Sequence, residues 1–187
     1  MKYLLLIIQL TGFLNAAFGQ KLKSDPVMVS LAKIDVGPQG VGVSYEPRIS
    51  NKLTVDLCMG IGGGYSIDES DFNYEVLQPA LYFSVTPKYF YNIQKRINNG
   101  KKTRLNSGNY FGLRVKYVTP VSKTNDKIRN TVLTNIHWGI QRNIGGNWLL
   151  NFHLGVGYAS DFKFGGIIYP SVEIKFAYIF LKGNTAH

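Results

Sequence analysis

The stretch NWLLNFHLGVGY, Asn147 to Tyr158, decides the fold. From Leu150 every second residue is apolar: Leu150, Phe152, Leu154, Val156 and Tyr158. Between them lie Asn151, His153, Gly155 and Gly157. A period of two is that of a β-strand, whose successive side chains point to opposite faces. One face is continuously apolar and the other is polar or empty. The fold follows from which of the two faces points inward.

Seven further segments repeat the pattern between polar connectors. VMVSLAKI (27–34) is a weak first strand. GVGVSYEPRI (40–49) sets Val41, Val43 and Tyr45 against Gly42, Ser44 and Glu46. LTVDLCMGIGGGY (53–65) sets Leu53, Val55, Leu57, Met59 and Ile61 against Thr54, Asp56, Cys58, Gly60 and Gly62. In 77–93, Leu81, Phe83, Val85 and Tyr89 oppose Tyr82, Ser84, Thr86 and Lys88. In 110–119, Phe111, Leu113, Val115 and Tyr117 oppose Gly112, Arg114 and Lys116. In 131–141, Val132, Ile136, Trp138 and Ile140 oppose Asn135, His137, Gly139 and Gln141. In 167–180, Ile168, Val172, Ile174, Phe176, Tyr178 and Phe180 oppose Ser171, Glu173 and Lys175.

The second face separates two all-β architectures. A sandwich buries its apolar faces and solvates a densely charged exterior. Here the non-apolar face is rich in glycine, with single charges between. A narrow barrel must fill its interior with side chains, and glycine makes room for the large ones. Buried charges there need partners. Glu46, Asp56 and Glu173 against Lys88, Arg114, Lys116 and Lys175 can form a paired network, joined by Asn135, His137 and His153. The expected fold is all-β: an eight-stranded antiparallel up-and-down transmembrane β-barrel with its apolar face toward lipid.

The connectors sort accordingly. ISNK (49–52) and NIGGN (143–147) are tight and fall on the side of the termini. DVGPQG (35–40), SIDESDFN (66–73), VSKTNDKIR (121–129) and DFKFGG (161–166) fall on the other side. Short turns at one end and longer loops at the other are the asymmetry of such barrels. QKRINNGKKTRLNSGN (94–109) breaks the rule, being long and basic on the tight-turn side. It reads as a solvated turn or, within 95–104, as a docking site for an acidic periplasmic partner.

The chain opens MKYLLLIIQLTGFLNAAFGQ, with Lys2, an apolar run and small residues at Ala17 and Gly19. This is the pattern of a secretory signal peptide over 1–19, cleaved after Gly19. The run is too short for a spanning helix, which needs about 20 residues. One barrel domain is expected over 20–187, with strands within 27–180. The single cysteine, Cys58, forbids an internal disulfide. The formal charge is +10. In an exported chain that balance suits anionic lipid rather than nucleic acid, so no nucleic-acid partner is expected.

YEPRISNKLTVDLCMGIGGGY (45–65), a strand, tight turn and glycine-rich strand, and the closing IKFAYIF (174–180) resemble the small eight-stranded outer-membrane β-barrel proteins of Gram-negative bacteria. The resemblance is architectural and covers roughly Val27 to Phe180. It implies an outer-membrane location, contact with outer-membrane lipid and lipopolysaccharide, and insertion by the barrel assembly machinery, which reads an aromatic C-terminal strand. LKGNTAH follows Phe180, where such chains often stop. The family includes surface binders, anchors, small-solute channels and lipid-modifying enzymes, so fold alone does not assign function.

No catalytic, metal or cofactor site is expected from the residues. His137 and His153 read as members of a polar core, since zinc wants three or four ligands and Cys58 is the only thiol. His153 faces inward with no serine two residues away, which argues against a lipid hydrolase. GIGGGY (60–65) lacks the spacing and the following helix of a nucleotide loop. The expected role is non-enzymatic: an envelope component, or a binder acting through its surface loops. The alternative is a narrow channel for small polar solutes, and behind it a lipid-modifying enzyme.

Overall fold

A computed structural model describes residues 28–67, 72–122, 128–163 and 166–183. The leader over 1–19 and the acids Asp68, Glu69 and Asp71 lie outside the described residues. Eight strands run up and down: β1 Ser30–Gly37, β2 Gly40–Glu46, β3 Leu53–Ile67, β4 Phe72–Tyr89, β5 Gly108–Pro120, β6 Thr131–Gly145, β7 Trp148–Ser160 and β8 Gly166–Gly183. Each pairs antiparallel with the next, and β8 returns to β1 to close the ring. Closure leaves no bare sheet edge around most of the circumference.

The apolar face points out. Met59, Ile61, Phe83, Leu113, Leu154 and Val156 are all exposed. On the outward strand positions the described charged residues are Glu75, Arg142 and Lys182, each near a strand end. The polar face points in and is buried. Where a large ring faces inward, its cross-strand neighbour is glycine: Tyr82 opposite Gly60, Tyr110 opposite Gly139, His137 opposite Gly112, and Tyr169 opposite Gly157. A Cβ on any of these glycines would collide with the facing ring. The glycine-rich face is thus a set of sockets.

Three features depart from the sequence reading. β3 and β4 run on to Ile67 and from Phe72, so both ends of the expected 66–73 loop are strand. Beyond a register shift at Gly63/Gly64 this hairpin tip folds over the far mouth. There Tyr65 and Ile67 pack with Val118, Leu133, Ala159 and Tyr169. β8 continues past Phe180 to Gly183, pairing Leu181, Lys182 and Gly183 with Ala32, Leu31 and Ser30 across an irregular register.

The third departure is the basic connector. It is a folded cover, not a plain solvated turn. A short helix, α1 (Ile93–Asn98), is followed by a single 3-10 turn, Arg104–Asn106. Leu105 and Asn106 take left-handed backbone, at φ 54° and 58°. This conformation is costly for residues other than glycine, so the surroundings must hold it. They do: Leu105 packs against Leu31, Leu149, Ala177 and Ile179. Ile93 packs beside Met28, Phe90 and Tyr110. The Asn106 amide donates to the Val29 carbonyl at 2.8 Å and accepts from the Val29 N–H at 2.9 Å. Lys95, Lys101 and Lys102 stay outside.

Candidate functional site

The polar interior is one continuous network with two dissimilar halves. Near the termini, Lys33 (β1), Glu46 (β2), Asp56 (β3) and Lys88 (β4) form a closed square. Lys33 Nζ lies 2.6 Å from Glu46 and 2.9 Å from Asp56. Lys88 Nζ lies 3.0 Å and 2.6 Å from the same carboxylates. Thr54 donates its hydroxyl to Glu46 at 2.9 Å. Each lysine sees two acids and each acid two lysines, the compensation that buried ions need.

The square extends sideways. Gln141 accepts from Lys88 at 3.4 Å and from Asn151 at 3.0 Å, and donates to the Leu105 carbonyl at 3.2 Å. Tyr110 donates to Asn151 at 2.7 Å. The connector that covers this end is therefore hydrogen-bonded to the network beneath it.

Mid-barrel, Arg114 meets Glu173 at 2.6 Å and donates to Thr86 at 3.2 Å. His153, the residue opposite Glu173 in the β7–β8 register, places Nδ1 3.4 Å from the same carboxylate oxygen. Its Nε2 is 3.3 Å from the Ser171 hydroxyl. His137 stacks on His153 with ring centroids 4.1 Å apart, and its Nδ1 is 2.7 Å from Asn135 Oδ1. Ser44 donates to Asp35 at 2.5 Å, and Lys175 reaches Asp35 at 4.0 Å.

Nearly every residue assigned to the interior from sequence is there. Glu46, Asp56, Lys88, Arg114, Lys116, Asn135, His137, His153 and Glu173 are buried, and Lys175 is half-buried. Lys33 and Asp35 were missed, the first in a strand of weak pattern and the second in what read as a loop. Their alternation with Ile34 and Val36 was the available signal. Ser171 was placed inward but not beside His153, because the register of β7 on β8 joins them. Among the described residues no three His, Cys, Asp or Glu side chains converge as metal ligands would.

The far half contains a cavity of about 190 Å³. Its walls include Arg114, Lys116, Asn135, His153, Tyr169 and Ser171. Lys116 donates to Gln39 and to the Tyr65 hydroxyl, each at 3.4 Å, and lies over the Tyr82 ring at 4.5 Å. No family model matches the chain, and neither a curated protein nor a solved structure matches it.

Proposed function

We propose that the protein is an integral outer-membrane β-barrel, exported by its leader, non-enzymatic, and acting as an envelope component or through its far-end loops. One observation carries this reading: the ring is inverted, with ions inside and an uncharged apolar belt outside. In water such a belt would be a large exposed patch of the kind that marks an interaction surface. In lipid it is the surface a spanning barrel must have. β7 supplies 13 residues, and a tilted spanning strand needs about 9–11. Tyr89, Tyr91, Trp148 and Tyr178 lie toward one rim and Tyr117 and Tyr158 toward the other, as aromatic girdles do.

The connector covers one mouth and paired side chains occupy the interior beneath it, which favours a closed envelope protein over the channel. The exposed Lys95, Lys101 and Lys102 keep an acidic periplasmic partner open at the connector. The test is fractionation with the outer membrane together with faster migration of the unboiled protein on gels. Leu154→Arg, at mid-belt, is expected to cost on the order of 2–4 kcal/mol of stability in lipid. Gly155→Ser is no mild control, because a Cβ there meets the Ile136 carbonyl oxygen and, at 2.6 Å, His137 Cα. Arginine tolerated at 154 in folded, inserted protein would invert the facing and end this reading.

A second reading has its own observation. Ser171, His153 and Glu173 stand in the order nucleophile, base and orienting acid, at 3.3 Å and 3.4 Å, with Ser171 and His153 on the cavity wall. In this arrangement Glu173 is also held by Arg114. If the array hydrolyses acyl esters, purified protein cleaves p-nitrophenyl esters and Ser171→Ala abolishes the rate. Equal background rates in both would leave Ser171 as a structural hydroxyl.

A further inference from the structure

Four acids and five bases occupy the inward strand positions: Asp35, Glu46, Asp56 and Glu173 against Lys33, Lys88, Arg114, Lys116 and Lys175. All four acids are engaged, by Lys33 and Lys88, by Arg114, and by Lys175. Among the described residues Lys116 is the remaining inward cation. It is 6 % exposed, and among the described residues no carboxylate lies within 4.0 Å of it. Its nearest partners among the described residues are neutral oxygens and ring faces, with Glu173 and Arg114 acting on it from farther off. A buried ammonium so placed lacks the counter-charge that makes burial tolerable. It also lines the 190 Å³ cavity.

Beside that cavity the strand wall is interrupted among the described residues. β1 pairs with β8 only from Phe176 onward, and β2 pairs with β3 only as far as Ile61. Above the β1–β2 turn, among the described residues, β8 from Gly166 to Lys175 and β3 from Gly63 to Ile67 have no strand between them. The hairpin tip bridges the gap from above, with Phe72 stacked on Tyr169 at 4.6 Å. Pro170, which brings no N–H to the free edge, sits there. Cavity walls run from Lys116 inside, past Gln39 of the turn and Tyr74 of the tip, to Pro170 and Val172 on the outer face.

We propose that this cavity binds a monocarboxylate, its anion on Lys116 and its apolar body running out past Phe72 and Tyr169. Among the described inward residues one cation is left over, which one negative charge would balance. The hydroxyls of Ser171 and Tyr169 and the Asn135 amide supply further donors on the same walls. The volume lies below the roughly 300–1,000 Å³ of pockets that enclose a drug-sized ligand, so it takes a head and the start of a tail. The interruption in the wall accommodates the remainder. A long-chain acid would come from surrounding lipid, a route that rests on the membrane reading. A short aromatic acid would come from water and does not depend on it.

The test uses the full-length protein in phosphatidylcholine nanodiscs, with folding checked by unboiled gel mobility. Carboxyl-labelled dodecanoate and benzoate are titrated separately and the carboxyl carbon signal is followed. At least one acid should show a saturable bound signal, weakened at least tenfold by Lys116→Met. Dodecanol, uncharged but of equal length, should bind wild type at least tenfold more weakly than dodecanoate. This control does not depend on the variant folding. Binding of dodecanoate alone assigns the lipid source, and binding of benzoate alone assigns the aqueous one. Absence of saturable binding by both acids, or equal binding by folded Lys116→Met, or dodecanol matching dodecanoate where that is the acid bound, overturns the site.

Discussion

The interior near the termini and the interior near the far mouth use the same side chains to different ends. In the first, two lysines and two acids pair with one another, with Asp56 Oδ1 left without a hydrogen bond among the described residues. The connector seals it with Leu105 and Ile93. In the second, Arg114 and Glu173 pair, Lys116 does not, and a cavity and an interrupted wall lie beside them. Charge inside a barrel is therefore not one kind of feature. Where it is fully compensated it behaves as structure, and where a surplus borders open volume it becomes a place for something else.

Two substitutions test that contrast. Asp56→Ala would leave Lys33 and Lys88, both buried, to share Glu46. Breaking a buried pair of this kind costs about 3–5 kcal/mol. The expected result is a large fall in the urea unfolding midpoint in detergent, partly recovered when Lys88→Met is added. The smallest effect is expected for Lys116→Met. Removing an uncompensated charge in favour of an apolar chain should leave stability unchanged or raise it by about 1 kcal/mol. If it costs as much as Asp56→Ala, the two halves are equally paired and the contrast is wrong.

Much of this was legible along the chain because the signals are local. Alternation in NFHLGVGY sets the strand and its faces whatever lies beside it. The glycines read as spacers because a packed interior needs sockets, and Gly112, Gly139 and Gly157 each face a ring. What stayed hidden depends on neighbours distant in sequence. Ser171 meets His153 only through strand register. Lys33 joins the square only because β1 closes onto β2 and β8. The connector looked like a solvated basic turn because its composition is basic, yet its Leu105 and the preceding Ile93 anchor it. Nothing in TRLNSGN announces a left-handed leucine.

Asn106 carries a consequence for assembly. The β1–β8 seam joins the most distant parts of the sheet, so its chain-closure entropy is the largest of any ladder. Asn106, 77 residues from Val29, grips both backbone groups of Val29 just ahead of β1. The leading end of the first strand is thereby tethered to the middle of the chain, independently of the last strand. The seam is a zipper whose slider is already seated, and the final hairpin has only to meet an edge held in place for it.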